Sequence, residues 1–361
     1  MKNISIIGAG NIGTQFAVHC AAKGFNVTIY TKNYEKISGK ICIADENGEI
    51  TKEGVISAAT DNPEKAFENA DIIFVTVPAF CFESVANEIE PYVKSGAYIG
   101  LIPGSGGGEC AFKNFVTKGC ILFGLQRVPS VARLVEYGRK VQAVGYRKNL
   151  YASSIPNKFT SDVCEILTNI FDIKCSPLPN YLNCTLIPSN PILHTTRLKT
   201  IFKDYKEGLV YDYIPLFYEE WENETSELLL KCDDEVQQIC MKLKNFDLSY
   251  VKSLKEHYEA PNAQALTDKI KSIKAFKKIK TPSIELDNGK YIPDLNSRYF
   301  TSDFNFGLVI LKQIALFLGI NVPNMTNVLE WYSRIDQKHN KFDYKKYGIV
   351  NIDNFIEFYG Q

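Results

Sequence analysis

Four side chains in the C-terminal half have types and spacings suited to proton transfer and anion binding. Asn190 and His194 are four residues apart in the run Asn190-Pro191-Ile192-Leu193-His194, so on a helix both project to a common side. An imidazole exchanges protons near neutrality, which suits general acid–base chemistry. Arg298 offers a planar fork that takes both oxygens of a carboxylate. Asp303 follows at the start of a predicted helix, in the run Arg298-Tyr299-Phe300-Thr301-Ser302-Asp303. Each also has a plainer reading: Asn190 as a helix cap ahead of Pro191, His194 as an interior histidine with satisfied nitrogens, and Asp303 as a complement to a helix dipole. Spacing alone leaves both readings open. Of the four histidines, His19, His257 and His339 sit in less suggestive settings.

A second group lies at the N-terminus. The short apolar run Ile4 to Gly8 leads straight into Gly8-Ala9-Gly10-Asn11-Ile12-Gly13, then a helical pattern carrying Phe16, Ala17, Cys20 and Ala21, then a second strand from Asn26 to Tyr30. This is strand, Gly-x-Gly-x-x-Gly, helix, strand, the context that gives the motif its meaning. Gly8 allows the tight turn, Gly10 lets the backbone approach a pyrophosphate, and Gly13 lets helix and strand pack closely. The N–H groups of Asn11 and Ile12 at the helix start face the phosphates with the positive end of the dipole. An acid at the end of the second strand would bind a ribose 2′-hydroxyl and repel a 2′-phosphate. Thr31 and Lys32 stand there instead, a hydroxyl and an ammonium, so NADP is expected in preference to NAD.

These residues need scaffolds to place them. Asn47-Gly48 predicts a hairpin after the second strand, 61–70 a helix opened by Pro63, and 72–77 a buried strand ending at Val77-Pro78, where cofactor-contacting loops lie. Further strands are predicted at 98–102, 121–125 and 141–145. The run Pro103-Gly104-Ser105-Gly106-Gly107-Gly108 would let backbone crowd a ligand, and a flexible turn is its alternative. From Leu186 the pattern turns helical, with helices expected at 191–202, 218–243, 303–318 and 323–335. The expected fold class is α/β: a doubly wound Rossmann domain at 1–185, followed by an all-helical domain at 186–361.

Bulk composition narrows the function. Lys plus Arg and Asp plus Glu both number 41, a net charge of zero, which argues against nucleic-acid binding through a basic surface. The lysines between Lys269 and Lys280 are read as a solvated face. The ten cysteines include no Cys-x-x-Cys pair and are expected to be free thiols in a reducing cytoplasm, with no metal site. The N-terminus has no signal-peptide pattern, and the apolar stretch 307–320 is too short to cross a bilayer. A soluble, cytoplasmic enzyme of small molecules is expected, with no membrane partner and compatible with a homodimer.

The chain resembles the opine dehydrogenases, the octopine and nopaline dehydrogenase family. Asn190-Pro191-Ile192-Leu193-His194 resembles that family's Asn–His signature, and Arg298 to Asp303 its Arg-Tyr-x-x-Glu-Asp signature. Val77-Pro78-Ala79, Pro103-Gly104 with Gly107, Tyr218-Glu219 and Asp234-Glu235 fall in the expected order. Two departures stand out: Ser302 replaces the usual Glu, and the cofactor strand lacks an acid. The resemblance implies reductive condensation of an amino acid with a 2-oxo acid such as pyruvate, through an imine, using NAD(P)H. It implies His194 as acid/base, Asp303 as its partner, Arg298 as the clamp on a substrate carboxylate, and Asn190 as a ligand of substrate or nicotinamide. Residues within 205–221 or 248–263 are expected to select the amino donor. Two other functions compete: simple reduction of a 2-oxo acid or keto-phosphate, as in ketopantoate or glycerol-3-phosphate reductases, and a non-enzymatic NADP sensor.

Overall fold

The computed structural model describes residues 1–187 and 190–361, which form two compact units, Met1–Thr185 with Tyr359–Gln361, and Leu186–Phe358. The final three residues therefore belong with the first unit, not with the second as a division at 186–361 would have them.

The first unit carries twelve strands: β1 Asn3–Ile7, β2 Asn26–Tyr30, β3 Lys40–Ala44, β4 Ile50–Val55, β5 Ala58–Thr60, β6 Ile72–Val75, β7 Tyr98–Leu101, β8 Ile121–Leu125, β9 Val131–Glu136, β10 Lys140–Val144, β11 Leu150–Ile155 and β12 Cys175–Pro177. Eight of them make one sheet in the order β12-β11-β8-β7-β6-β1-β2-β5. From β5 to β8 the pairings are parallel, and β11 returns antiparallel to β8. The run β6 Ile-Ile-Phe-Val is buried at every residue, as a strand covered on both faces must be. The chain builds outward from β1 to β2 and β5, then crosses to β6 on the other side. The crevice at the carboxyl ends of β1 and β6 is thus the topological switch point where doubly wound folds bind ligands.

A second sheet, in the order β4-β3-β10-β9, was not foreseen. The hairpin predicted around Asn47-Gly48 forms as β3 and β4, with Asp45 Oδ1 accepting from the N–H groups of Asn47 and Glu49. The strand predicted at 141–145 lies in this sheet, where β10 runs parallel to β3 and antiparallel to β9.

The second unit is helical, with Asn190–Ile201, Asn223–Lys242, Val309–Phe317 and Pro323–Ile335 among its helices. It is not all-helical: β13 Ser283–Glu285 pairs with β14 Tyr291–Pro293. Two predicted helices start later than expected. The one expected from 218 starts at Asn223, leaving Tyr218 in the preceding loop. The one expected from 303 opens with a π-helical turn, Phe304–Leu308, before Val309–Phe317. No helix of the described residues is long and apolar enough to cross a membrane.

Candidate active site

The glycine turn has physical reasons at each position. Gly8 has φ +97°, a conformation side chains resist, and a Cβ there would press on Thr76 and Val77 at 3.2 Å. A Cβ at Gly13 would lie 1.9 Å from the Gly8 carbonyl oxygen, so helix Asn11–Ala22 can pack this close only with glycine. Thr76 Oγ1 donates to the Ile7 carbonyl at 2.7 Å, tying β6 to the same turn. Gly10 differs: no protein atom lies within 4 Å of the position its Cβ would take. Packing does not demand glycine there, and the open space could admit a pyrophosphate to the helix N-terminus. Val77 and Pro78 are half-buried at the end of β6, beside the turn.

At the end of β2, Thr31 N–H donates to the Thr60 carbonyl at 3.0 Å, and its hydroxyl lies 3.2 Å from the Tyr137 hydroxyl. Lys32 is exposed, and its charge opposes the upward push that burial gives the Cys81 thiol in the turn after β6. Asp61, the residue after β5, adds its charge to the upward push that burial and Glu88 give the Tyr30 phenol. The glycine run at 104–108 has packing reasons as well. A Cβ at Gly104 would lie 2.7 Å from Gly124 Cα, and one at Gly108 2.8 Å from Leu101 Cδ1. Gly106 and Gly107 take positive φ of 94° and 75°. The loop ends on Glu109, fully buried, whose carboxylate accepts from Thr185 at 2.7 Å and Tyr359 at 2.6 Å.

In the second unit, helix Asn190–Ile201 carries His194, only 3% exposed. Its Nδ1 lies 2.7 Å from Asp303 Oδ2, and its Nε2 lies 2.7 Å from the Tyr218 hydroxyl. An ionised carboxylate has only lone pairs to offer, so Nδ1 carries the hydrogen and donates it to Asp303. Nε2 of the neutral ring then accepts from the Tyr218 phenol. Burial pushes that phenol well above its ordinary range, and the Tyr299, Tyr258 and Asp303 groups add to the push, so Tyr218 keeps its proton. The ring of Tyr299 lies 4.2 Å from the imidazole and Phe217 packs edge-on at 5.4 Å, fixing its plane.

Local sequence explains how these groups meet. Gly307 lets the π-helical turn lie against helix Asn190–Ile201, because a Cβ there would sit 2.9 Å from the Pro191 side chain. Asp303, immediately before that turn, is thereby brought to His194 across 109 positions of sequence. Tyr218 is placed by Arg197, which lies one turn beyond His194 and is completely buried. Arg197 Nε donates to the Phe217 carbonyl at 3.0 Å and Nη2 to the Glu220 carbonyl at 2.7 Å, gripping the loop on both sides of Tyr218.

The sequence-based candidates are thus partly united. His194 and Asp303 meet. Arg298 is exposed, its guanidinium 5.8 Å from the Tyr299 ring centroid, and has no ion-pair partner among the described residues. Asn190 is an exposed residue in the first turn of the His194 helix, which begins on Asn190 and not after it. Tyr218 entered the sequence reading only through the Tyr218-Glu219 pair of the resemblance, and Arg197 not at all; an arginine flanked by threonine and leucine in the middle of that helix was the available signal for the latter. Asp234-Glu235 proves structural on its second member: Glu235 accepts from the N–H groups of Asn324 and Met325 at the start of helix Pro323–Ile335. All ten cysteines are free thiols, and no cluster of three metal-ligating side chains occurs among the described residues.

A Rossmann unit and a helical unit bearing a buried His–Asp pair fit an NAD(P)-dependent oxidoreductase, the class that the similarities to known proteins support. Residues 177–335 match the family model for the α-helical domain of NAD/NADP octopine/nopaline dehydrogenase, and residues 3–104 match the N-terminus of NAD-dependent glycerol-3-phosphate dehydrogenase. Tauropine dehydrogenase of Arabella iricolor is 26% identical over 82% of each chain. Octopine dehydrogenase of Mizuhopecten yessoensis is 27% identical over 75% of this chain and 71% of its own. A solved octopine dehydrogenase with NADH and L-arginine superposes with a TM-score of 0.83 at 23% identity, covering 100% of this chain and 98% of that one, which establishes the shared fold. The second unit thus resembles the α-helical domain of the octopine/nopaline dehydrogenases over residues 177–335, and most of the chain is similar to opine dehydrogenases.

Proposed function

We propose that this protein reductively condenses the amino group of an amino acid with a 2-oxo acid, pyruvate or a close analogue, with His194 as the acid/base. The observation that carries the reading is the imidazole held between the Asp303 carboxylate and the Tyr218 phenol, each at 2.7 Å. Attack of the amine on the ketone gives a carbinolamine, which must lose water before the imine can be reduced. His194 moves protons to and from the oxygen that departs. Asp303 holds the ring in one tautomer and stabilises the imidazolium that forms. Arg298, exposed and without an acidic partner among the described residues, takes the carboxylate of the oxo acid in its two-pronged fork. Asn190 hydrogen-bonds the substrate or the nicotinamide carboxamide. The bound nicotinamide supplies the hydride. The residues that hold the cofactor are Gly8, Gly10, Asn11, Ile12 and Gly13 at the pyrophosphate, Val77 and Pro78 at the end of β6, and Thr31 with Lys32 at the ribose. Thr31 and Lys32 favour NADP over NAD.

Balanced charge supports small-molecule substrates over nucleic acid or membrane, and ten free thiols fit a cytoplasmic location. The test is oxidation of NADPH and NADH with pyruvate, with and without pooled amino acids. Oxidation that requires both substrates is expected. Oxidation with the oxo acid alone would instead make the protein a simple keto-acid reductase.

A further inference from the structure

The hairpin of β9 and β10 belongs to the second sheet, yet it runs along the cofactor end of helix Asn11–Ala22. Three contacts fix its course. Gln15 Nε2 donates to Ser130 Oγ at 2.7 Å just before β9. Within β9, Leu134 N–H donates to Asn11 Oδ1 at 2.8 Å, and Asn11 is the residue directly after Gly10 in the phosphate turn. At the tip, the Tyr137 hydroxyl lies 3.2 Å from Thr31 Oγ1.

The tip is held firmly. Ser38 N–H donates to the Gly138 carbonyl at 2.9 Å. Gly138 has φ +73°, and a Cβ there would meet the Lys36 carbonyl oxygen at 2.3 Å, so the hairpin presses directly on the segment following β2. The hairpin therefore spans from the pyrophosphate turn to the end of β2, where a Rossmann domain receives the adenosine ribose. Tyr137 is 38% exposed, so its ring and hydroxyl remain accessible beside Thr31.

We propose that Tyr137 binds the 2′ substituent of the cofactor's adenosine ribose together with Thr31, making the β9–β10 hairpin a wall of the cofactor site. This rests on the reading of Thr31 as the 2′ end of that site. Any oxygen held by Thr31 Oγ1 comes within reach of a hydroxyl only 3.2 Å from it. Two hydroxyls can share one phosphate or ribose oxygen, and a phosphate gains more from the second than a hydroxyl does.

The experiment measures dissociation constants of 2′,5′-ADP, 5′-AMP and 2′-deoxy-5′-AMP for the wild type, Tyr137→Phe and Thr31→Val, with melting temperatures as the folding control. Tyr137→Phe is expected to weaken 2′,5′-ADP about tenfold and 5′-AMP about threefold, and to leave 2′-deoxy-5′-AMP unchanged. Thr31→Val should follow the same order, and the two changes together should cost less than their product. Unchanged affinities for all three probes overturn the proposal. Equal weakening of all three also overturns it, because the hydroxyl would then only tether the hairpin. The NADP preference is judged separately by the wild-type ratio of 2′,5′-ADP to 5′-AMP, so a wild type that favours 5′-AMP rejects that preference while leaving the Tyr137 comparison intact.

Discussion

The Tyr218 hydroxyl lies 2.7 Å from Nε2 of His194, on the ring nitrogen opposite the one that Asp303 holds. With Nδ1 engaged by a carboxylate, Nε2 is the atom through which His194 can exchange a proton with anything else. A phenol kept protonated by burial stands on that atom. In the proposed reaction Tyr218 would either pass that proton onward or give up its place on Nε2 to the substrate.

Tyr218→Phe removes the hydroxyl and keeps the ring, which stacks on Phe276 at 4.2 Å. If the phenol takes part in proton transfer, kcat should fall by about 10- to 100-fold with cofactor affinity unchanged. A variant with wild-type kcat would leave Tyr218 as a packing residue whose hydroxyl merely satisfies a buried nitrogen.

His194→Ala should abolish turnover, with a loss of about 10²- to 10⁴-fold, while NAD(P)H binds nearly as before. Asp303→Asn keeps a hydrogen-bonding group beside Nδ1 but no negative charge, so kcat should fall while cofactor affinity holds. Retention of more than a few per cent of activity in His194→Ala would falsify the role of His194 as the acid/base.

Much of this arrangement could be read from residue order, and the division follows physical range. The glycine turn was legible because its constraints are local: φ at Gly8 and the crowding of Gly13 against the Gly8 carbonyl arise within six residues. Asn190 and His194 could be placed on one helix for the same reason. The second sheet was not legible, because β3 pairs with β10 nearly a hundred residues later and short alternating strands do not declare their partners. The loop position of Tyr218 was hidden by a helix expected to start at 218. The helical pattern does continue through those residues, but the buried guanidinium of Arg197 takes the carbonyls of Phe217 and Glu220, and the helix begins only at Asn223.

Cofactor choice is testable at Thr31. NADPH is expected to bind more tightly than NADH, because Thr31 and Lys32 offer a donor and a positive charge where an acid would repel a 2′-phosphate. Thr31→Asp should reverse the order. Equal wild-type affinities, read by nicotinamide fluorescence, would remove the case for both residues.

Asp233 gives a pH dependence of stability separate from catalysis. Its side chain is 1% exposed, and burial raises its pKa from 3.8 to about 6, with the Asp234 charge adding and the Leu254 N–H opposing. The folded state thus holds a proton that the unfolded state releases between about pH 4 and 6. Stability falls as pH rises through that window and stays lower above it. Asp233→Asn cannot ionise but keeps an oxygen for Leu254. It should match the wild type near pH 4 and exceed it by about 2 to 3 kcal/mol at pH 7. Denaturant melts that run parallel at both pH values would show that Asp233 ionises without penalty.

Arg197 links the stability of the helical unit to its chemistry. Burial pulls its pKa down to about 10, against the charges of Glu222 and Glu220, so it remains a cation at neutral pH. A fully buried guanidinium is tolerated because its donors are used on the loop carbonyls and because the Trp221 ring lies 5.5 Å from it. Lysine carries the same charge on one nitrogen and cannot reach two carbonyls in fixed fork geometry. Arg197→Lys should therefore cost about 2 to 4 kcal/mol of stability, leaving at least one buried carbonyl without a donor. If the grip on Phe217 and Glu220 is what holds the Tyr218 phenol on His194, the same variant should also lose kcat below its melting temperature, by a factor close to that of Tyr218→Phe. Combining the two substitutions should then add little further loss of kcat. A variant that melts early but turns over like the wild type at low temperature would confine Arg197 to holding the fold, and a different contact would have to position Tyr218.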